Sequence, residues 1–189
     1  MKGPFVIGVA GPMGAGKTYF VDLLILYLLS IGIEVKRVSV GDIFRGILRR
    51  ENKDPTDRKL LHKESKKFLE TVSDKNLLSW MKENLPEFGW DQGFIVVDGI
   101  RLPGNYEGMK ELFPHNALVY CHCPEETRIV RIMDRANLSR EDVMESFSDK
   151  MEKVDDGYFL SQTNLILTPD DNPIEIAESI RLLLEEYLK

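Results

Sequence analysis

Residues 11–18 read Gly11-Pro12-Met13-Gly14-Ala15-Gly16-Lys17-Thr18 and match the pattern G-x-x-x-x-G-K-[ST]. They follow directly on the apolar run from Phe5 to Ala10, which predicts a buried strand, and a leucine-rich stretch that predicts a helix comes after them. In such a strand–loop–helix unit, successive backbone N–H groups converge on a phosphate, and the positive end of the helix adds to the attraction. The stretch therefore predicts a site for a nucleoside triphosphate.

The side chains of this loop have different expected roles. Lys17 would reach the β- and γ-phosphates, and the hydroxyl of Thr18 would ligate Mg²⁺. ATP and Mg²⁺ are accordingly the expected cofactors. The predicted nucleotide-binding residues in and beside the loop are Gly11, Met13, Gly14, Ala15, Gly16, Lys17, Thr18 and Tyr19.

The composition is that of one globular domain over residues 1–189, with 43% apolar and 30% charged residues. A net charge of −6 argues against a protein that coats nucleic acid nonspecifically. The longest apolar stretch, Tyr19 to Ile33, is interrupted by Asp22 and is too short to span a bilayer. We expect a cytoplasmic monomer or homodimer that binds a small-molecule phosphate acceptor, with no nucleic-acid or membrane partner.

Strand-like and helix-like stretches alternate along the chain, which predicts an α/β fold with a parallel five-stranded sheet and helices on both faces. The predicted strands are Phe5–Ala10, Val35–Val40, Phe94–Asp98, Ala117–Cys123 and Asn164–Leu167. The first helix, ending near Ser30, is leucine-rich enough to be buried on most sides. Further helices are predicted within 42–87, from Pro124, over 140–154, and from a capping box at Asn172 to Glu175.

Cys121 and Cys123 flank His122, and a Cys-x-Cys pair can bind a metal. No second ligand pair with zinc spacing accompanies them. Alternate residues of a strand point the same way, so we interpret the two thiols as a reduced pair in the core. His62 and His115 have no partner pattern and receive no role.

Charged residues follow the ends of several predicted strands, where the ligand lies in open parallel sheets. Asp98 closes an apolar strand and holds the position of an acid that binds Mg²⁺. Asp42 and Arg45 follow the second strand, and Arg101 follows the third. The alternative is that Arg45 and Arg101 each form an ion pair at the protein surface.

The helix after the fourth strand carries Arg128, Arg131 and Arg135. The last two are four residues apart and share a helix face, where either bound anions or the nearby acids Asp134 and Glu126 would offset their repulsion. Arginine forks suit phosphates, and an acceptor that already carries phosphate needs cations rather than a strong base. The arginines therefore favour a phosphorylated acceptor over a hydroxyl acceptor, for which Asp42 or Asp98 would have to act as base.

In these motifs the chain resembles nucleoside monophosphate kinases of the adenylate kinase type. The resemblance follows the family's order from Val6 to about Lys150. Besides residues 11–18, it rests on Gly41-Asp42-Ile43-Phe44-Arg45, on residues 93–99, on Pro124-Glu125-Glu126, and on Arg131 and Arg135.

The resemblance implies a three-layer P-loop fold with strand order 2-3-1-4-5 and transfer of the γ-phosphoryl of ATP to a nucleoside monophosphate. It implies a helical acceptor-binding insert over 41–92, with Asp42, Arg45 and Arg101 on the acceptor. It places Asp98 with Thr18 on the metal, Arg131 against the ATP base and Arg135 on the phosphates.

The resemblance also implies a short lid region over 136–150, in which Ala136 to Ser139 would be a very short lid. Arg140 and Lys150 would be its cations, with lysine where the family has arginine. The predicted catalytic residues are Lys17, Asp98, Arg135 and Arg140.

The segment Asp98-Gly99-Ile100-Arg101-Leu102-Pro103 departs from the Asp-Gly-x-Pro-Arg pattern of that family. It is similar to P-loop kinases related to dephospho-coenzyme A kinases and phage deoxynucleotide kinases. A dephospho-coenzyme A kinase-like enzyme, or another small-metabolite kinase with a hydroxyl acceptor, is therefore the alternative function.

Two other classes are weighed against a kinase. A GTP-binding switch needs Asn-Lys-x-Asp after a late strand, whereas Asn52-Lys53-Asp54 lacks the spacer and lies in the helical stretch. A non-catalytic scaffold would hold or hydrolyse ATP without stimulation by an acceptor.

Overall fold

The computed structural model describes residues 3–147, 154–168 and 171–187. Within these residues, five parallel strands form one sheet in the order β2-β3-β1-β4-β5. The strands are β1 (Phe5–Ala10), β2 (Val35–Ser39), β3 (Phe94–Ile100), β4 (Asn116–Cys121) and β5 (Leu165–Leu167). The predicted fold class and strand order are confirmed, with small differences at the strand ends.

Helices connect the strands and cover the sheet. They are α1 (Lys17–Ser30), α2 (Val40–Arg50), α3 (Arg58–Thr71), α4 (Leu77–Asn84), α5 (Pro103–Leu112), α6 (Glu125–Ala136), α7 (Arg140–Phe147), α8 (Asp156–Gln162) and α9 (Pro173–Tyr187). The segment between β2 and β3 holds α2, α3 and α4, and a single 3₁₀ turn at Pro86–Phe88 follows them. The predicted helix over 140–154 is described only as α7, since residues 148–153 lie outside the described residues, and Val154 itself is not helical.

The side chains of the sheet alternate between two apolar cores. Ile7, Val96 and Val119 pack on one face with α1 and α9. On the other face, Val97 and Leu118 pack with α4, α5 and α8. Because both faces are covered, the central strands are buried along their whole length, and their side chains read as continuous apolar runs.

Helix α1 is less buried than its leucines predict. Leu24 and Leu28 are fully buried, but Leu26 is 63% and Leu29 is 53% exposed. The expectation of burial on most sides is wrong. Among the described residues the helix packs mainly against the sheet and α9, and Leu26 and Leu29 lie on a side that faces solvent.

The capping box predicted for the last helix is present. The side chain of Asn172 accepts hydrogen bonds from the backbone N–H groups of Ile174 and Glu175, and the Glu175 carboxylate accepts one from the Asn172 N–H. The N–H groups of Ile174 and Glu175, which have no partner within the helix, are thereby paired, and so is the N–H of Asn172.

Helix α5 was not predicted from the sequence. Its two glycines weaken the helical pattern, but both pack against residues that precede α4. A Cβ at Gly104 would overlap the Asp74 carboxylate, a side chain that can shift, whereas one at Gly108 would overlap the carbonyl oxygen of Lys75, which is backbone. The helix thus approaches a neighbouring backbone more closely than any other residue type allows.

This close approach predicts opposite effects for two glycine-to-alanine changes. Gly108→Ala should lower the free energy of unfolding by about 3 kcal/mol, since the backbone must move to admit the methyl group. Gly46→Ala in α2 should raise it by about 0.5–1 kcal/mol, because no described atom lies within 4 Å of its Cβ position and alanine is the better helix former. Urea denaturation of both variants checks the pair, and equal effects would contradict this account of α5.

Candidate active site

The loop at residues 11–18 has the backbone shape that the motif requires. Gly11, Gly14 and Gly16 all have positive φ angles, of 138°, 82° and 93°. A Cβ at Gly11 would lie 2.5 Å from the Cys121 carbonyl oxygen, so this loop passes directly over the end of β4. Gly16 precedes the first residue of α1, which places the positive end of that helix at the loop.

The side chain of Lys17 folds back onto the first residues of this loop. Its Nζ donates hydrogen bonds to the carbonyl oxygens of Gly11 at 2.7 Å and Pro12 at 2.8 Å. Lys17 and Thr18 are the first two residues of α1, and both line one cleft. The ammonium group is therefore held where an anion cradled by the loop amides would meet it.

Asp98 lies beside the loop because of the sheet register. It pairs with Val9 at the end of β1 and with Ser39 at the end of β2. The carboxylate is largely buried, and its Oδ2 accepts a hydrogen bond of 2.6 Å from Arg37. A single buried acid thus stands next to the loop, as the sequence predicts.

Arg37 was not singled out from the sequence. It lies on β2 and donates to two acids, Asp98 and also Asp22 of α1, at 2.6 Å and 2.9 Å. Only the register of β2 on β3 brings these groups together. A basic residue within a short strand carries no signal of such a contact.

The cleft measures about 600 Å³ and extends from the loop toward α2 and α3. Arg45 of α2 and Arg101, which follows β3, line it on this side. Arg45 donates a hydrogen bond of 2.8 Å to the Asp42 carboxylate. Asp42 itself is not among the described residues that line the cleft.

Other residues on this side of the cleft were not predicted as site residues. They are Ser39, Val40, Phe44, Leu61, His62, Ser65, Leu69, Leu77, Leu102 and Asn105. Ser65 and Asn105 are buried, and each side chain is held by hydrogen bonds to the backbone. The amphipathic pattern of the α3 sequence marks it only as a helix, so its approach to the loop was not evident.

Two of the three arginines of α6 reach the cleft. Arg131 and Arg135 line it, whereas Arg128 is not among the described residues that line it. The Nη1 of Arg131 lies 3.8 Å from the Cys123 Sγ and 3.8 Å from the Cβ position of Gly16. The cleft therefore brings together Lys17 with four arginines from distant parts of the chain.

Arg140 lies at the start of α7 and forms an ion pair with Glu126 of α6, at 2.7 Å. This hydrogen bond lowers the pKa of the Glu126 carboxyl and raises that of Arg140. Arg140 is 49% exposed and is not among the described residues that line the cleft. Lys150, the other predicted lid cation, lies outside the described residues.

Most of the predicted nucleotide-binding residues meet in the cleft. Those that line it are Met13, Gly14, Gly16, Lys17, Thr18 and Tyr19. Gly11 and Ala15 belong to the same loop but are buried and are not among the described residues that line the cleft.

The two cysteines are buried core residues. Both are free thiols in the cluster between the sheet and helices α1 and α9. Burial raises the pKa of Cys121 to about 12. Cys123 follows the end of β4 rather than lying on it, yet it faces the same core.

Among the described residues, no helix is both long and apolar enough to cross a bilayer. A comparison with curated proteins found no match to the sequence.

Solved structures share the fold over almost the whole chain. They include the APS kinase of Mycobacterium tuberculosis in complex with AMPPNP and APS, which is 20% identical with a TM-score of 0.62 over 98% of this chain and 99% of that one. The protein TT1252 of Thermus thermophilus is 21% identical with a TM-score of 0.59 over 97% of each chain. The shikimate kinase of Bacteroides thetaiotaomicron is 16% identical with a TM-score of 0.54 over 98% of this chain and 99% of that one.

The parallel five-stranded sheet and its covering helices accordingly form an α/β fold of the P-loop kinase-like type. The model of one sequence family, described as an AAA domain, matches residues 7–156, which include the loop, Asp98 and all three arginines of α6. The chain therefore belongs to the AAA domain family.

Proposed function

We propose that this protein is a phosphotransferase that moves the γ-phosphoryl group of ATP to a nucleoside monophosphate. The observation that carries the proposal is the single cleft in which Lys17 and the loop face Arg45 and Arg101. Phosphoryl transfer needs two anionic molecules held in line and the charge on the moving group neutralised. The P-loop kinase fold supports the same reaction class.

The donor would bind at the loop. The amides of residues 11–16 and the Lys17 ammonium would hold its phosphates, and Arg135 would meet the phosphates from α6. Arg131 would lie against the base. Both arginines line the cleft from α6, which follows β4, whereas α2 follows β2 on the other side of β1. This separation supports a contact of the two arginines with the donor rather than with the acceptor.

Thr18 and Asp98 are the residues that would hold Mg²⁺. A hydroxyl and a buried carboxylate are hard oxygen ligands of the kind that Mg²⁺ prefers, and they line one cleft beside the loop. The Oδ2 atom of Asp98 accepts a hydrogen bond from Arg37, and its second oxygen, Oδ1, would bind the metal or a water molecule of the metal. When bound, the ion would neutralise negative charge on the phosphate oxygens.

The acceptor would bind between α2, α3 and the residues that follow β3. Arg45 and Arg101 supply cations for a phosphate, and the walls between them are largely apolar, with Phe44, Leu61 and Leu69. The side chains of Phe44, Leu61 and Leu69 suit the face of a flat heterocycle, which buries no polar group against them, while Ser39, His62, Ser65 and Asn105 offer polar groups elsewhere on this side of the cleft. Together these features support a nucleotide as the acceptor.

A hydroxyl acceptor is the second candidate, because two groups able to take a proton, Asp98 and His62, line the cleft. Asp98 already accepts a charge-assisted hydrogen bond from Arg37, and Asp42 accepts one from Arg45. Each carboxylate therefore has one oxygen engaged by an arginine, which favours the phosphorylated acceptor. Dephospho-coenzyme A represents this second class.

A panel of acceptors separates the two candidates. We expect at least one ribo- or deoxynucleoside monophosphate to raise the rate of ADP formation from ATP and Mg²⁺ by about 100-fold or more over ATP alone, as positioned transfer requires. Dephospho-coenzyme A and shikimate should leave the rate near the background. Turnover with dephospho-coenzyme A alone would support the hydroxyl acceptor, and a rate that no acceptor changes would contradict a kinase.

A further inference from the structure

Arg128 lies in α6, three residues before Arg131 and seven before Arg135, and therefore on nearly the same helix face. Its side chain is only 13% exposed, and it lies behind the loop rather than in the cleft. A buried guanidinium so close to a phosphate-binding loop has no role in the function proposed above.

The guanidinium bridges two parts of the chain. Its Nη1 donates to the carbonyl oxygen of Met13 in the loop at 3.4 Å, and its central carbon stands 4.6 Å over the ring of Phe147, the last residue of α7. Glu125 is 3.6 Å from Nη2. One planar group thus contacts the loop on one side and α7 on the other.

The loop itself packs on α6 at this point. A Cβ at Gly14 would lie 3.0 Å from both the Cβ and the carbonyl oxygen of Arg128, and 3.1 Å from Ile132. Met13 belongs to a small apolar cluster with Ile132 and Phe147. The loop, α6 and α7 therefore share one contact region, with Arg128 at its centre.

The hydrogen bonds of this guanidinium are long, and its Nε is buried with no partner in the described part of the chain. A buried donor left unpaired costs about 1–3 kcal/mol. Methionine would fill much of the same space without that cost. What arginine adds is the simultaneous contact with Met13 and Phe147.

We propose that Arg128 is a positioning residue that couples the packing of α7 to the shape of the phosphate-binding loop. When Phe147 is stacked on the guanidinium, the guanidinium holds the Met13 carbonyl, and the loop amides keep the direction that a triphosphate needs. Triphosphate binding and α7 packing then favour each other, as linkage requires. The inference uses the proposed function only in placing the triphosphate at the loop.

A double-mutant cycle read by calorimetry with AMP-PNP tests this coupling. We expect Arg128→Met and Phe147→Leu each to raise the Kd about tenfold, and the double variant to bind no more weakly than Arg128→Met. Effects that multiply in the double variant, or an Arg128→Met Kd within about twofold of the wild-type value, would overturn the proposal.

Arg128→Lys separates geometry from charge. Lysine keeps the positive charge but not the plane that stacks on Phe147, so we expect a Kd raised at least about fivefold. Wild-type affinity in this variant would assign the effect to charge and overturn the coupling. Should Arg128→Met not fold, Arg128→Lys with Phe147→Leu completes the cycle.

Hydrogen exchange gives a readout that a purely structural role would not move. AMP-PNP should slow exchange of the α7 amides in the wild type but not in Arg128→Met, whereas a loss of packing alone would change exchange equally with and without ligand. Arg181→Met, which removes a partly exposed arginine of α9 outside the site, should behave as the wild type. If the wild type itself does not bind AMP-PNP, the donor site fails; if it binds and α7 exchange does not respond, only the coupling fails.

Discussion

Lys17→Ala is expected to abolish phosphoryl transfer, with kcat reduced by about 10³-fold or more. Its ammonium group lies at the loop, where it donates hydrogen bonds to the Gly11 and Pro12 carbonyl oxygens. Charge on the transferring group is greatest in the transition state, so the loss should fall on kcat more than on the KM for ATP. Steady-state kinetics with ATP, Mg²⁺ and the best acceptor measure this split.

Lys66→Met is the matched control for this variant. Lys66 is an exposed lysine of α3 and is not among the described residues that line the cleft, so the same change in net charge there should leave kcat within about twofold. Thermal unfolding should give similar midpoints for both variants and the wild type. A Lys17→Ala enzyme with near-normal turnover would remove this residue from the reaction.

Arg45→Met is expected to raise the KM for the acceptor by about 30- to 100-fold while changing that for ATP by less than about twofold, because a charge-assisted hydrogen bond to phosphate contributes about 2–3 kcal/mol. Arg45 lies on α2 and lines the part of the cleft where we propose that the acceptor binds. In the wild type, a bound phosphate would compete with Asp42 for the same guanidinium. Initial rates with each substrate varied in turn supply both constants.

Arg49→Met serves as its control, since Arg49 lies on the same helix but is exposed. Methionine favours helix as well as arginine does, so α2 should persist in both variants. Equal increases in the two KM values for Arg45→Met would place this arginine outside the acceptor site, and an equal effect of Arg49→Met would point to a disturbed helix.

The sequence identified the loop and most of the cleft cations because each depends on local patterns, whereas the strand order followed from the family resemblance. Apolar runs marked the central strands, and glycines with a following lysine and threonine marked the loop. It did not reveal α5, whose Gly104 and Gly108 break the helical pattern but permit the contact with Asp74 and Lys75. It also overestimated the burial of α1, since composition does not tell how many sides of a helix have neighbours.

Taken alone, the amino-acid sequence determined the chemistry that can occur at the carboxyl end of the sheet: a phosphate cradle, an acid for a metal, and arginines for a second anion. Only the tertiary structure decided which of these groups meet. The register of β2 on β3 joins Arg37 to Asp98, the fold of α3 brings His62 and Ser65 to the cleft, and the packing of α6 against the loop places Arg128 under Met13. Such contacts depend on residues far apart in the chain, and their distances follow from packing rather than from any local periodicity.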